Sequence, residues 1–139
     1  MAEGKRFDSN RWFRQTVDQR TWEALMAQEQ QFIAEHARDT DEQLAALIRT
    51  RARELRHSPQ ALEVTGSLYM TERFGSWEKA LAAADQHTPR GTIRFTRTDR
   101  FRAEYRRQSE ILRVEQEQKK AHREARNAAL AAKKKERED

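Results

Sequence analysis

The sequence predicts an all-α protein: a small helix-turn-helix-like bundle, preceded by a helical segment and followed by a long basic helix. Three observations predict it. Glycine and proline together number six in 139 residues, so turns are few. Charged residues make up 37% and hydrophobic residues 36%, a balance that suits amphipathic helices around a modest core. Apolar residues recur at helical spacing in several segments, while strand-like alternation is confined to one short stretch.

The elements divide the chain into residues 1–39, 40–88, 89–98 and 99–139. Residues 10–38 are expected to be helical, in one or two pieces. Trp22, Leu25, Met26, Glu29, Phe32 and Ile33 fall mostly on one face. Trp12, Phe13 and Val17 form an earlier apolar cluster, and Thr21 would cap a second piece. This segment should fold over the middle domain.

Thr40 with Gln43 three residues later forms a capping box, and Asp41 and Glu42 sit beside the positive helix end. A helix over about residues 41–56 follows, with Leu44, Leu47, Ile48 and Leu55 marking its apolar stripe. Ser58-Pro59 should stop it and start a short new helix, with serine as cap and proline in its first turn. Thr65-Gly66-Ser67 breaks that helix, and Ser67 is the expected cap of two further turns, "LYMTERF". Met70 and Phe74 would point inward, leaving Leu68, Tyr69, Thr71, Glu72 and Arg73 outside. Gly75 stops this helix in the left-handed region, and Ser76 caps the next at once. Phe74, Gly75, Ser76 and Trp77 thus make a structural corner, with both rings turned inward. Trp77, Ala80, Leu81 and Ala84 repeat at i, i+3, i+4 and i+7.

Residues 90–97, "RGTIRFTR", alternate like an extended arm. Thr98-Asp99 then caps a long helix with a weak stripe of Phe101, Tyr105, Ile111 and Leu112. Beyond residue 114 no large apolar residue appears until Leu130, and a/d heptads are missing. A solvated single helix or a fraying tail is expected there.

Charge is unevenly placed. Residues 1–89 hold 12 basic and 14 acidic residues, net −2, whereas residues 90–139 hold 16 and 9, net +7. Such an asymmetry suits a polyanionic partner, or simply a solvated helix. Arg49, Arg53 and Arg56 share one face of the first domain helix. Arg90, Arg94, Arg97, Arg100, Arg102, Arg106 and Arg107 form the densest basic run. Arginine suits bidentate phosphate contact. The interleaved Phe95, Phe101 and Tyr105 would stack on bases or bury against Trp12 and Phe13; burial is the expectation.

Catalytic chemistry is not expected. There are no cysteines, which removes disulfides, thiolate metal sites and cysteine nucleophiles. His36, His57, His87 and His122 are scattered without paired ligand spacing, and no P-loop or dinucleotide turn occurs. Neither cofactor nor metal is expected. The N-terminal "MAEGKRFDSN" lacks a hydrophobic signal core and no apolar run approaches a membrane span, so a cytoplasmic protein is expected.

Residues 41–85, with the corner Arg73-Phe74-Gly75-Ser76-Trp77 and the Ala80, Leu81, Ala83, Ala84 helix, resemble the homing endonuclease associated repeat. The resemblance implies a small helix-turn-helix DNA-binding unit, with residues 67–73 as recognition helix and Ser67, Tyr69, Thr71 and Arg73 facing the groove. Thr71 and Glu72 stand where basic residues are frequent in that family. Three functional readings follow. The first is non-enzymatic binding of duplex DNA by this module together with the arm and the basic helix. The second is an RNA- or ribosome-associated protein whose C-terminal extension contacts RNA. The third is an adaptor that meets a protein partner through the long helix.

Overall fold

The computed structural model describes residues 7–138; most of the N-terminal stretch read for a signal core, residues 1–6, lies outside them, as does residue 139. Five α-helices and two 3-10 turns make up the described chain, with no strand among the described residues. They are α1 (Ser9–His36), α2 (Asp41–Leu55), α3 (Ser67–Phe74), α4 (Trp77–Ala83) and α5 (Asp99–Glu138). The 3-10 turns are Ala61–Glu63 and Phe95–Arg97.

The N-terminal segment is one helix, not two. Thr21 does not cap anything; it is buried in mid-helix and its hydroxyl donates to the Val17 carbonyl at 2.7 Å. The buried line of α1 is Val17, Thr21, Leu25, Glu29 and Phe32. Trp22, Met26 and Ile33 stay exposed. The inner face is therefore rotated from the expected stripe, because it is threaded with two satisfied polar side chains.

Thr40 and Gln43 form the reciprocal capping box of α2, at 3.1 and 2.8 Å. Leu44, Ala45, Ile48 and Ala52 of α2 are buried. The helix ends at Arg56, which takes the left-handed conformation at φ 62°. Ser58 and Pro59 do not start a helix. Pro59 is fully buried, the Ser58 hydroxyl donates to the His87 carbonyl, and Gln60 precedes a single 3-10 turn. Arg51 Nε donates to the Glu63 carbonyl at 2.9 Å, tying that turn back to α2.

Gly66, not Ser67, is the cap residue of α3, at φ 88° and without a side-chain bond. Ser67 is buried inside the first turn. The corner forms as expected: Gly75 sits at φ 97° and the Ser76 hydroxyl accepts from Lys79 N at 3.1 Å. Phe74 and Trp77 are half-buried against the core, and Trp77 Nε1 donates to the Pro59 carbonyl at 3.1 Å. The rings seal the core edge; its centre is Leu44, Ile48, Met70 and Leu81, joined by Phe32 from α1. Large buried apolar side chains contribute roughly 1.5–3 kcal/mol each, and this cluster joins α2, α3 and α4 to α1.

α1 and α5 run antiparallel. Arg20 Nη1 meets Glu115 at 2.8 Å near one end, and Glu29 meets Arg100 at 3.0 Å near the other. The Thr98 hydroxyl caps α5 by accepting from Phe101 N at 3.2 Å. Phe101 and Leu112 are buried, whereas Ile111 is exposed. The aromatic cluster forms around Trp22, not Trp12 and Phe13: Phe95 stacks on Trp22 at 4.7 Å, and Phe101 lies 6.2 Å from the same ring. Residues 117–138 are exposed all round, a helical projection of roughly 33 Å at 1.5 Å per residue. Among the described residues, no helix is long and apolar enough to cross a membrane.

Candidate nucleic-acid interface

The predicted cations separate into structural and exposed groups. Arg100 is structural. Its Nη2 meets Glu29 Oε1 at 3.0 Å, its Nη1 donates to the Val64 carbonyl at 3.0 Å, and its side chain is only 10% exposed. Glu29 Oε2 in turn accepts from Gly66 N at 2.9 Å. One guanidinium thus pins α1, α5 and the Val64–Gly66 turn together, and it leaves the list of contact residues. Burial of an arginine requires such partners, because an unpaired interior charge is prohibitive.

α3 presents only part of the groove-facing set expected of a recognition helix. Ser67 is buried and unavailable to a ligand. Tyr69 is half-buried against the core, its hydroxyl 3.4 Å from the Ala37 carbonyl. Arg73 donates to the Tyr69 hydroxyl at 3.1 Å and to Asp41 Oδ1 at 3.0 Å. The Tyr69 hydroxyl and the Asp41 carboxylate raise the Arg73 pKa above its ordinary value, so it stays charged, yet its charge is locally offset. Thr71 is half-buried, and the outward line is Leu68, which is 61% exposed, and Glu72.

The exposed cations lie elsewhere. Arg49 is paired with Glu42 at 2.7 Å, but Arg53 and Arg56 beyond it are exposed. With His57 and Ser58 they line a shallow cleft of about 400 Å³, whose other wall is Ala84, Asp85 and Gln86. The arm is irregular, not a strand, and it is fastened at two places. Gln60 accepts from Ile93 N at 2.8 Å and donates to the Gly91 carbonyl at 3.2 Å, while Ser58 holds His87. Arg90, Arg94 and Arg97 line a second cleft of about 650 Å³ beside Gln60. On α5, Arg102 and Arg106 are exposed, and Arg107 is loosely paired with Glu104 at 4.0 Å. Among the described residues, Arg53, Arg56, Arg90, Arg94, Arg97, Arg102 and Arg106 have no ion-pair partner.

Residues 39–87 match the homing endonuclease associated repeat. The matched segment contains α2, α3, α4 and the corner between them, and it stops where the basic arm begins. Of these seven arginines the matched segment contains Arg53 and Arg56, and the other five lie in the extension that follows it. No curated protein and no solved structure matches the chain. Two positioning roles are not foreseen from the sequence: Gln60 at the arm and Glu29 at Gly66 and Arg100. Gln60 carries no pattern that marks it as the fastener of the arm. Glu29 did carry one, a lone carboxylate on an apolar stripe.

Proposed function

We propose that this chain is a cytoplasmic, non-enzymatic nucleic-acid-binding protein that holds duplex DNA mainly by its phosphate backbone. The observation that carries the reading is the set of seven exposed, unpaired arginines running from the end of α2 through the arm onto α5. Guanidinium groups of this kind make bidentate contacts with phosphates. The match to the homing endonuclease associated repeat favours DNA over other polyanions. In this reading the repeat acts as a helix-turn-helix-like unit, with α3 near the groove. Leu68 and Glu72 on its outward line give it little backbone affinity of its own, though a glutamate can accept from a cytosine amino group.

A second reading, RNA or ribosome association, is favoured by one feature: the fully exposed projection of α5, whose end carries Lys133, Lys134 and Lys135. Competition against a labelled mixed-sequence duplex separates the two. Duplex DNA should displace the label at lower concentration than an RNA hairpin of equal charge. Changing the three terminal lysines to glutamine should alter duplex affinity by less than about threefold, the loss of weak, screened contacts. An RNA preference abolished by that triple change would favour the second reading. Absence of salt-sensitive binding to either nucleic acid would leave the adaptor role of α5.

A further inference from the structure

We infer that the end of α2 and the fastened arm form one pre-set clamp for a phosphodiester strand, with Gln60 as its positioning residue. The inference rests on the nucleic-acid-binding reading and specifies which surface does the gripping. Two sequence-distant basic groups meet here. Arg53 and Arg56 line the first cleft with Ser58, and Arg90, Arg94 and Arg97 line the second with Gln60. Ser58 and Gln60 are two residues apart, which spans at most about 7 Å. The linings of the two clefts therefore approach one another at Ser58 and Gln60. Successive phosphates of one strand, spaced about 3.4 Å in axial rise, can occupy both together.

The arm has few means of holding this position by itself. It has no helix or strand from Asp85 to Arg94, and Arg90, Gly91 and Thr92 are exposed. Gln60 satisfies one donor and one acceptor of the arm backbone with a single amide, much as a neighbouring strand would. Ser58 holds the His87 carbonyl two residues before the arm begins, which fixes the point from which the arm departs. Gln60 is itself fixed, because its backbone N–H donates to the buried Glu63 carboxylate at 3.0 Å. The arginines of the arm are thus presented with much of their ordering done before a ligand arrives, which raises affinity without adding a contact. Three carboxylates bear on the first cleft: Asp85 lines it, Glu42 pairs with its Arg49 at 2.7 Å, and Glu63 lies beside its His57. Glu63 is buried and faces His57 at 3.8 Å, leaving Asp85 as the carboxylate among the cleft-lining residues.

The test compares two kinds of change in the full chain, with a mixed-sequence DNA duplex and an RNA hairpin as probes over 50–200 mM salt. Gln60→Ala removes no charge. It should weaken binding roughly three- to tenfold while leaving the salt slope unchanged, because the same phosphates are still met at a greater ordering loss. Ser58→Ala should act in the same direction. The Arg94→Gln, Arg97→Gln double variant should instead flatten the slope by about 0.9 per lost contact on the duplex. Equal dependence on Gln60 with both probes would assign the clamp to the shared phosphodiester backbone. Wild-type affinity in Gln60→Ala and Ser58→Ala, or an unchanged slope in the double arginine variant, would overturn the clamp while leaving nucleic-acid binding in place. A wild-type chain that binds neither probe would overturn both.

Discussion

Arg100→Ala is expected to lower the stability of the fold by about 3–5 kcal/mol, the usual effect of removing one partner of a buried ion pair. The side chain of Glu29 is only 5% exposed and loses its countercharge at Nη2. The Val64 carbonyl loses its guanidinium donor at the same time. Both groups lie where α1 and α5 cross the turn that introduces α3, so three elements lose their common anchor. A domain of this size has roughly 5–15 kcal/mol in hand, so the variant should be largely unfolded well below the parental melting point. The guanidinium is not perfectly served even in the native chain, since Arg100 Nε is buried without a partner. That leaves room for partial rescue. Glu29→Gln keeps an acceptor for Gly66 N while removing the charge. Combined with Arg100→Met it should recover more than half of the loss, a non-additivity that urea titration reads directly. A loss below about 1 kcal/mol for Arg100→Ala would show that the pair is not a keystone.

Gly66→Ala should cost about 2–5 kcal/mol. Two independent effects contribute. At φ 88° an L side chain is strained by roughly 1–2 kcal/mol. A Cβ there would also stand 2.5 Å from three atoms of the buried Phe32 ring, an overpacking of roughly 1–3 kcal/mol. Phe32 cannot retreat freely, because it joins the core of the bundle on one side and stacks near His36 at 4.3 Å on the other. Gly91→Ala is the control. It shares a positive φ of 73° but meets nothing within 4 Å, so only the backbone strain remains. Thermal unfolding should therefore rank Gly66→Ala well below Gly91→Ala. Equal melting points would deny the close approach of α1 to the turn.

Several element ends follow from local signals that one short segment decides. The capping box at Thr40, the left-handed stop at Gly75 and the serine cap at Ser76 are all made by residues within four positions of each other. Other departures arise where the deciding partner is distant in sequence. Ser67 looks like a cap until α1 brings Glu29 to Gly66 N, which fixes Gly66 as the cap position and buries Ser67 in the first turn. Arg100 looks like any other member of a basic run until Glu29 and Val64 enclose it. Trp22 looks like a core residue, yet it is 45% exposed and serves as a platform for Phe95 and Phe101. The candidate interface was legible as composition, an arginine-rich arm after a repeat. Its geometry was not, because the arm is fastened by an amide 33 residues away from Ile93.

The most direct measurement is the affinity of the full chain for a mixed-sequence DNA duplex as a function of salt. Contacts from about six of the seven arginines at the α2 end, on the arm and on α5 would give a slope near −5 in log K against log salt, and a loss on the order of a thousandfold between 50 and 200 mM. Binding that is undetectable at 50 mM, or that holds steady across this range, would contradict the assignment of these guanidinium groups to a phosphate backbone.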